Sequence, residues 1–344
     1  MTHLERIANL KTLGYTDREA EFLCVAALHS GYFVRRQFLG FTQRERGKLD
    51  ARLADKAVGS GHAKALEFRH NRTVYSFCSK PFFEAIGEVD NRNRRRHEVF
   101  TIKNRLIGLD FVLKHRDRRF FATEREKVDY FRETAGIEVD QLPAKHYRAQ
   151  NSPACTARYF VDKFPIALSP ESSTGDSAVE FCYVDEGLHS TSGFRTYVEQ
   201  YRPLFMRLAG FRLIYVATHP NNFPAAARVF EKFIGNGNIR IPEDPSVPRL
   251  LSYFQARALF ERRDMASFDQ AKLIRFREDR KSFSGEKFEA LFRIWIDGGD
   301  AEVLRILSPE SATRSESRGT FHSYLSPFRY ELFGTLTDGN RRVA

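Results

Sequence analysis

Cysteine is scarce in this chain. Its four cysteines, Cys24, Cys78, Cys155 and Cys182, stand far apart and form no C-x-x-C pair. That excludes a zinc ribbon and a dense disulfide framework, and fits a reducing cytosol. Long apolar runs are also missing: the run 211–217 is short and flanked by charge, whereas a membrane span needs about 20 apolar residues. The opening Met1-Thr-His-Leu-Glu5 has no basic stretch leading into an apolar one, so no secretory leader is expected. None of G-x-x-x-x-G-K-[ST], G-x-S-x-G or H-E-x-x-H occurs, which removes the best-marked phosphate loops, nucleophile elbows and zinc hydrolase sites. The expectation is a cytoplasmic protein with no membrane attachment.

What is present is core-forming material and positive charge. Hydrophobic residues make up 42% of the 344 residues and 32 are Phe, so a packed interior is expected rather than disorder, and the length suits two domains. The formal charge is +11, and it is unevenly spread. Residues 1–120 hold 24 Lys+Arg against 14 Asp+Glu, while the remainder holds 31 against 30. An excess confined to the first third points to a polyanion partner for that part.

Periodicity and capping signals order the elements. Thr16 with Glu19 makes a capping box for a helix over 16–30, with rows Phe22/Ala26 and Leu23/Ala27 and Gly31 as its terminator. A short helix over 34–39 ends at Gly40. Thr42 with Glu45 makes a second capping box, predicting a helix over 42–57 whose inward row is Leu49 and Leu53. Extended runs at 65–69 and 73–77 flank His70-Asn71-Arg72, a hairpin tip. Pro81 opens a further helix. The seam Val99, Ile102, Leu106, Leu109 and Leu113 then predicts a long connecting helix suited to pairing with a second copy of itself.

The second half reads as mixed α/β. A helix capped by Thr123 with Glu126 precedes extended segments near 157–161, 165–168 and 178–184, a helix over 193–209, a buried strand over 211–217 and a helix over 224–234. Residues 245–307 read as helical, 308–318 as polar, and 320–336 as an aromatic tail that the sequence alone does not dock. The expected division is 1–90, 91–118, 119–240 and 241–344. The fold class is α+β: an N-terminal winged helix-turn-helix, a long connecting helix, and a C-terminal α/β domain of nuclease-like topology with a helical tail.

Arg44, Lys48 and Arg52 lie four apart, so on a helix from Thr42 they project along one side, away from Leu49 and Leu53. With Gln43 at its amino end this is the polar, basic face a recognition helix needs. Arg69, His70 and Arg72 at the hairpin tip are placed as a wing, and Arg35 and Arg36 stand ready to clamp phosphate. The run Tyr15-Thr-Asp-Arg-Glu19, these helices, the wing ending Val74-Tyr-Ser-Phe77 and the stretch Arg95-Arg-His-Glu98 resemble the replication-relaxation family. Those are winged-helix proteins coded by plasmids and integrative mobile elements, and the likeness spans roughly residues 14–235. It implies binding of double-stranded DNA in replication, mobilisation or transcription regulation, with a relaxase or other mobile-element protein as a partner. It implies no reaction and no cofactor.

The second half carries one constellation with catalytic precedent. Asp162 follows one extended segment and Glu180 lies inside the next, with a crossover helix and strand after them. This order resembles the core of the PD-(D/E)xK nucleases, which implies an acid pair holding Mg²⁺ and a lysine two residues after the second acid. Cys182 occupies that lysine's place, Gly187 follows the pair Asp185-Glu186, and Tyr197 and Tyr201 keep the spacing of a Q-x-x-x-Y pattern without its Gln. The expectation is therefore a non-catalytic DNA-binding homodimer. The alternatives are a metal-dependent nuclease built on Asp162 and Glu180, and a protein-interaction module built on the winged helix.

Overall fold

A computed structural model describes residues 1–44, 48–70, 72–95, 97–148, 155–170, 178–235, 246–261, 268–307 and 319–332. Capping boxes open the first two helices. In α1 (His3–Thr12) and α2 (Asp17–His29), Thr2 and Thr16 accept from the backbone of Glu5 and Glu19, whose carboxylates reach back to the cap. Helix α2 buries Ala20, Phe22, Leu23, Cys24, Ala26, Ala27 and Leu28. An α-helix apolar on so many sides belongs at the centre of a core. Gly31 ends it at φ +80, where a Cβ would lie 2.6 Å from the Asn93 carbonyl, so only glycine fits.

Next come β1 (Tyr32–Phe33), α3 (Arg35–Phe41), α4 (Leu49–Gly59), β2 (Ala63–Phe68), β3 (Arg72–Phe77) and α5 (Lys80–Ala85). The strands form an antiparallel sheet in the order β1-β3-β2, with Phe33 opposite Tyr75 and Ala65 opposite the same residue on the other side. Phe22, Phe33, Phe38, Leu53, Phe77 and Phe82 close the core between helices and sheet. The second capping box is corrected here. Thr42 is the C-cap of α3, its hydroxyl donating back to the Phe38 and Leu39 carbonyls at 3.1 Å, and Gln43 turns through φ +56. A threonine hydroxyl bonds whichever backbone group is nearer, and here the preceding helix claims it. Helix α4 begins at Leu49, and Glu45 lies outside the described residues. Leu53 still faces inward, fully buried.

Helix α6 (Val99–Lys114) packs against α2, α3 and β1 on one flank and against strands of a second sheet on the other. Leu109 joins the N-terminal core, whereas Ile102, Leu106, Ile107 and Phe111 pack with Cys182, Val184, Ile214 and Val216. Of the seam read as a dimer interface, Ile102, Leu106 and Leu109 are buried inside the chain and Val99 and Leu113 are half-buried. The seam's three-and-four spacing records burial on both flanks, which periodicity does not distinguish from pairing with a second copy.

The second sheet is built from β4 (Arg119–Phe120), β7 (Ile166–Leu168), β8 (Val179–Asp185), β9 (Phe211–Ala217) and β10 (Gly319–Leu325), in the order β10-β9-β8-β7-β4. Helix α7 (Glu124–Asp129) and the hairpin β5 (Ala144–Arg148) and β6 (Cys155–Tyr159) intervene in the chain. Strands β8 and β9 run parallel, Glu180 opposite Arg212, joined by the crossover helix α8 (Ser192–Phe205). All of β8 is buried, as a parallel strand covered on both faces should be. Cys182 and Val184 face α6, while Phe181 and Tyr183 meet the rings of Tyr201, Phe205, Phe194 and Tyr197 on α8.

The chain divides into two compact units, residues 1–226 with 321–344, and residues 227–320. This differs from the four consecutive segments expected. The first unit is discontinuous because the chain returns to it near its C-terminal end. The aromatic tail docks there: Tyr330 and Leu332 are buried with Phe68, Val74 and Phe111. After α9 (Phe223–Phe230), the other unit comprises α10 (Ser246–Glu261), α11 (Gln270–Ser282) and α12 (Glu286–Leu307) around Leu250, Phe254, Phe276, Phe292 and Val303. Among the described residues, no helix is long and apolar enough to cross a membrane. The protein is of mixed α and β class.

Candidate nucleic-acid interface

The start of α3 and the start of α4 are tied by one ion pair. Arg35 Nε donates to Asp50 Oδ2 at 2.8 Å, and the Asp50 side chain is only 7% exposed. An acid in the first turn of α4 also suits the positive end of that helix. Gln43 and Arg44 lie ahead of α4 rather than in it, Lys48 is its N-cap and Arg52 is in its first turn. All four are exposed, and the three cations have no ion-pair partner among the described residues. They do not form one helical stripe, because the helix that would align them starts too late.

The hairpin tip carries Arg69 and His70, both exposed, with His70 in the left-handed region at φ +61. Arg72 opens β3 and stands 3.5 Å from Glu331, an exposed pair of little energetic weight.

Arg36 has a different task. Its Nη2 donates to both Asp110 oxygens at 3.1 and 3.0 Å and to the Tyr330 hydroxyl at 2.6 Å, and the guanidinium lies 3.4 Å from the Phe328 ring centre. Burial raises the Asp110 carboxyl above its ordinary range, against the pull of Arg36, Tyr330 and Gln37. Arg36, read from sequence as a phosphate clamp, spends its Nη2 on bracing α3 against α6 and the C-terminal segment.

The two nuclease-position carboxylates do not converge. Glu180, 1% exposed, is gripped by Arg118 at 2.7 Å and Arg212 at 2.5 Å. It shares its strand face with Cys182, two residues on, and so looks toward α6. Asp162 accepts from the Tyr201 hydroxyl of α8 at 2.7 Å and from the Phe164 amide at 3.0 Å, on the opposite side of the sheet. A single ion cannot bridge them, so the Asp162–Glu180 metal alternative is corrected by sheet geometry. Burial pushes the Cys182 thiol far up, so it offers no thiolate. Asp185 is occupied by the Tyr215 hydroxyl at 2.7 Å and the Gly187 amide at 2.6 Å, and Glu186 by Lys103 at 3.1 Å. Among the described residues, no group of three or more His, Cys, Asp or Glu could hold a metal.

Two inward-facing cations, Lys127 buried and Arg105 half-buried, carry no sequence signal. Lys127 Nζ donates to the Phe164 carbonyl at 3.1 Å, and burial lowers its pKa to about 8. Arg105 donates to the Ser30 carbonyl and to Asn93 Oδ1, with its pKa lowered by burial to about 10. Both brace loops rather than line an opening. An open cleft of 610 Å³ lies beside Glu88, Asp90, Arg125, Arg158 and Lys163. Arg125 and Arg158 pair there with Asp129 and Glu124, so the cleft presents no field of one sign. Comparison with known families, with characterised proteins and with solved structures finds nothing that matches this chain.

Proposed function

We propose that this chain binds duplex DNA through its N-terminal module, as a winged helix-turn-helix regulator or accessory factor of a mobile element. The observation that carries the reading is the order α2, β1, α3, α4, β2, β3 with the sheet β1-β3-β2, combined with exposed cations Arg44, Lys48 and Arg52 around the start of α4 and Arg69 at the hairpin tip. In that arrangement α4 is the recognition helix and the hairpin is the wing, and unpaired cations are the groups that release counterions from DNA. The resemblance of residues 14–235 to the replication-relaxation family supports the same reading and brings the mobile element into it.

We read α6, β4, β7, β8, α8 and β9 as a nuclease-like arrangement that serves binding rather than cleavage. Glu180 neutralised by two arginines is a poor Mg²⁺ ligand, because the ion would first have to break both pairs. Titration of a labelled duplex with the full chain across a salt series tests the proposal. Binding that weakens steeply with salt is expected, and no binding at low salt overturns it.

A further inference from the structure

Helix α11 carries five cations in 13 residues, Lys272, Arg275, Arg277, Arg280 and Lys281, and every one is exposed. Only Phe276 and Asp279 are buried. The Asp279 carboxylate is engaged within the unit: Arg249 of α10 donates to it at 2.6 Å, and Arg275 lies 4.0 Å from its other oxygen. Phe276 stacks on Tyr253 and Phe260. These neighbours decide which side of α11 meets the core and turn the remainder outward, leaving Glu278 as the helix's one exposed acid.

One cation of α12, Arg293, extends this face. Glu289 is held through both oxygens by Arg257, at 2.7 and 2.8 Å, which keeps its carboxyl below the usual range. Arg280 and Arg293 face that same carboxylate after Arg257 has taken it. Neither they nor Arg277 and Lys281 make an ion pair among the described residues. Arg277, Arg280 and Lys281 stand at three- and four-residue steps, hence on neighbouring rows of one helix.

We propose that this face of the helical unit is a second, sequence-independent binding surface for the phosphate backbone of duplex DNA. Unpaired cations gain most from a polyanion because they displace its condensed counterions without first breaking a salt bridge. Single strands are a poorer fit, since such sites stack bases on exposed aromatic rings and α11 has its one ring buried. An anionic membrane fits less well too. A helix that lies in a bilayer surface needs a broad apolar face, and the one large apolar residue α11 exposes by more than half is Ile274.

This surface shares no residue with the N-terminal module, and one experiment separates the two. The full chain is titrated with a long labelled duplex across a salt series, beside the variant Arg277→Ala/Arg280→Ala/Lys281→Ala/Arg293→Ala. Alanine favours helix, and circular dichroism checks that the fold is kept. Removing four phosphate partners should lower the log–log salt slope by about 3 to 4 units. Replacing the same arginines by lysine should keep the slope. Wild-type slope and affinity in the alanine variant would overturn the proposal. So would weakened binding to anionic phospholipid vesicles with unchanged binding to duplex. If the variant Arg44→Ala/Lys48→Ala/Arg52→Ala alone weakens binding, the module reading stands and this surface falls. The converse pattern upholds this surface and sinks the module reading.

Discussion

Tyr330 donates its hydroxyl to Asp110 Oδ2 at 2.5 Å, joining the C-terminal segment to a carboxylate 220 residues earlier in the chain. Arg36 and Gln37 of α3 donate to the same hydroxyl, and Gln37 also reaches the Leu106 carbonyl. Helix α3 is therefore held both by α6 and by the chain's last described segment. An N-terminal fragment ending near residue 118 would lack Tyr330 and leave Asp110 and Arg36 facing one another without it.

Tyr330→Phe should destabilise the protein by about 1–3 kcal/mol, since it withdraws a donor from a buried carboxylate. Denaturant unfolding measures this. A variant as stable as wild type would mean the hydroxyl is not a working partner of Asp110.

Leu106→Asp should leave no folded protein at ordinary temperature, because Leu106 is fully buried between the N-terminal module and the second sheet. Placing a carboxylate there costs about 4 kcal/mol or more. Circular dichroism with light scattering distinguishes this from an interface. A folded variant with a changed oligomeric state would return α6 to the surface.

Glu180→Gln should cost about 3 kcal/mol, because Arg118 and Arg212 then lose the charge that balances them. Millimolar Mg²⁺ should leave the melting temperature of the wild type unchanged. A metal-dependent rise that disappears in the variant would revive the nuclease alternative.

Burial depresses several histidines, His29 and His97 most strongly, and these weaken the protein on the acid side. Burial lowers the pKa of His29 to about 3 and, with the Arg105 charge as a second cause, that of His97 to about 4. A histidine depressed in the folded state binds its proton more readily when unfolded, so stability should fall as pH drops below about 6.5 toward 4. Urea unfolding across that window measures the slope, and His29→Gln should lose part of it. A variant with the wild-type slope would contradict the assignment.

The elements legible in the sequence are those with a local cause. The Thr16 and Thr123 caps form as read, with Glu126 donating its amide to Thr123 at 3.1 Å. The apolar runs at β8 and β9 are strands because each is short and buried on both faces. Thr42 escapes a local reading, because the same Thr-x-x-Glu spacing leaves open whether the hydroxyl serves the next helix or the previous one. The opposition of Asp162 and Glu180 depends on which strand face each joins, and no spacing encodes that. The cations of α11 escape a charge count, because averaging over two-thirds of the chain cancels a local excess against acids elsewhere.

The most direct measurement of the DNA-binding claim is the salt dependence of duplex affinity for the full chain and for Arg44→Ala/Lys48→Ala/Arg52→Ala/Arg69→Ala. Each residue is exposed and lacks an ion-pair partner among the described residues, so the variant should stay folded. Its log–log slope should fall by about one unit for each phosphate no longer neutralised, with clearly weaker binding at every salt concentration. A folded variant that binds duplex with the wild-type slope and affinity would contradict an interface at α4 and the hairpin tip.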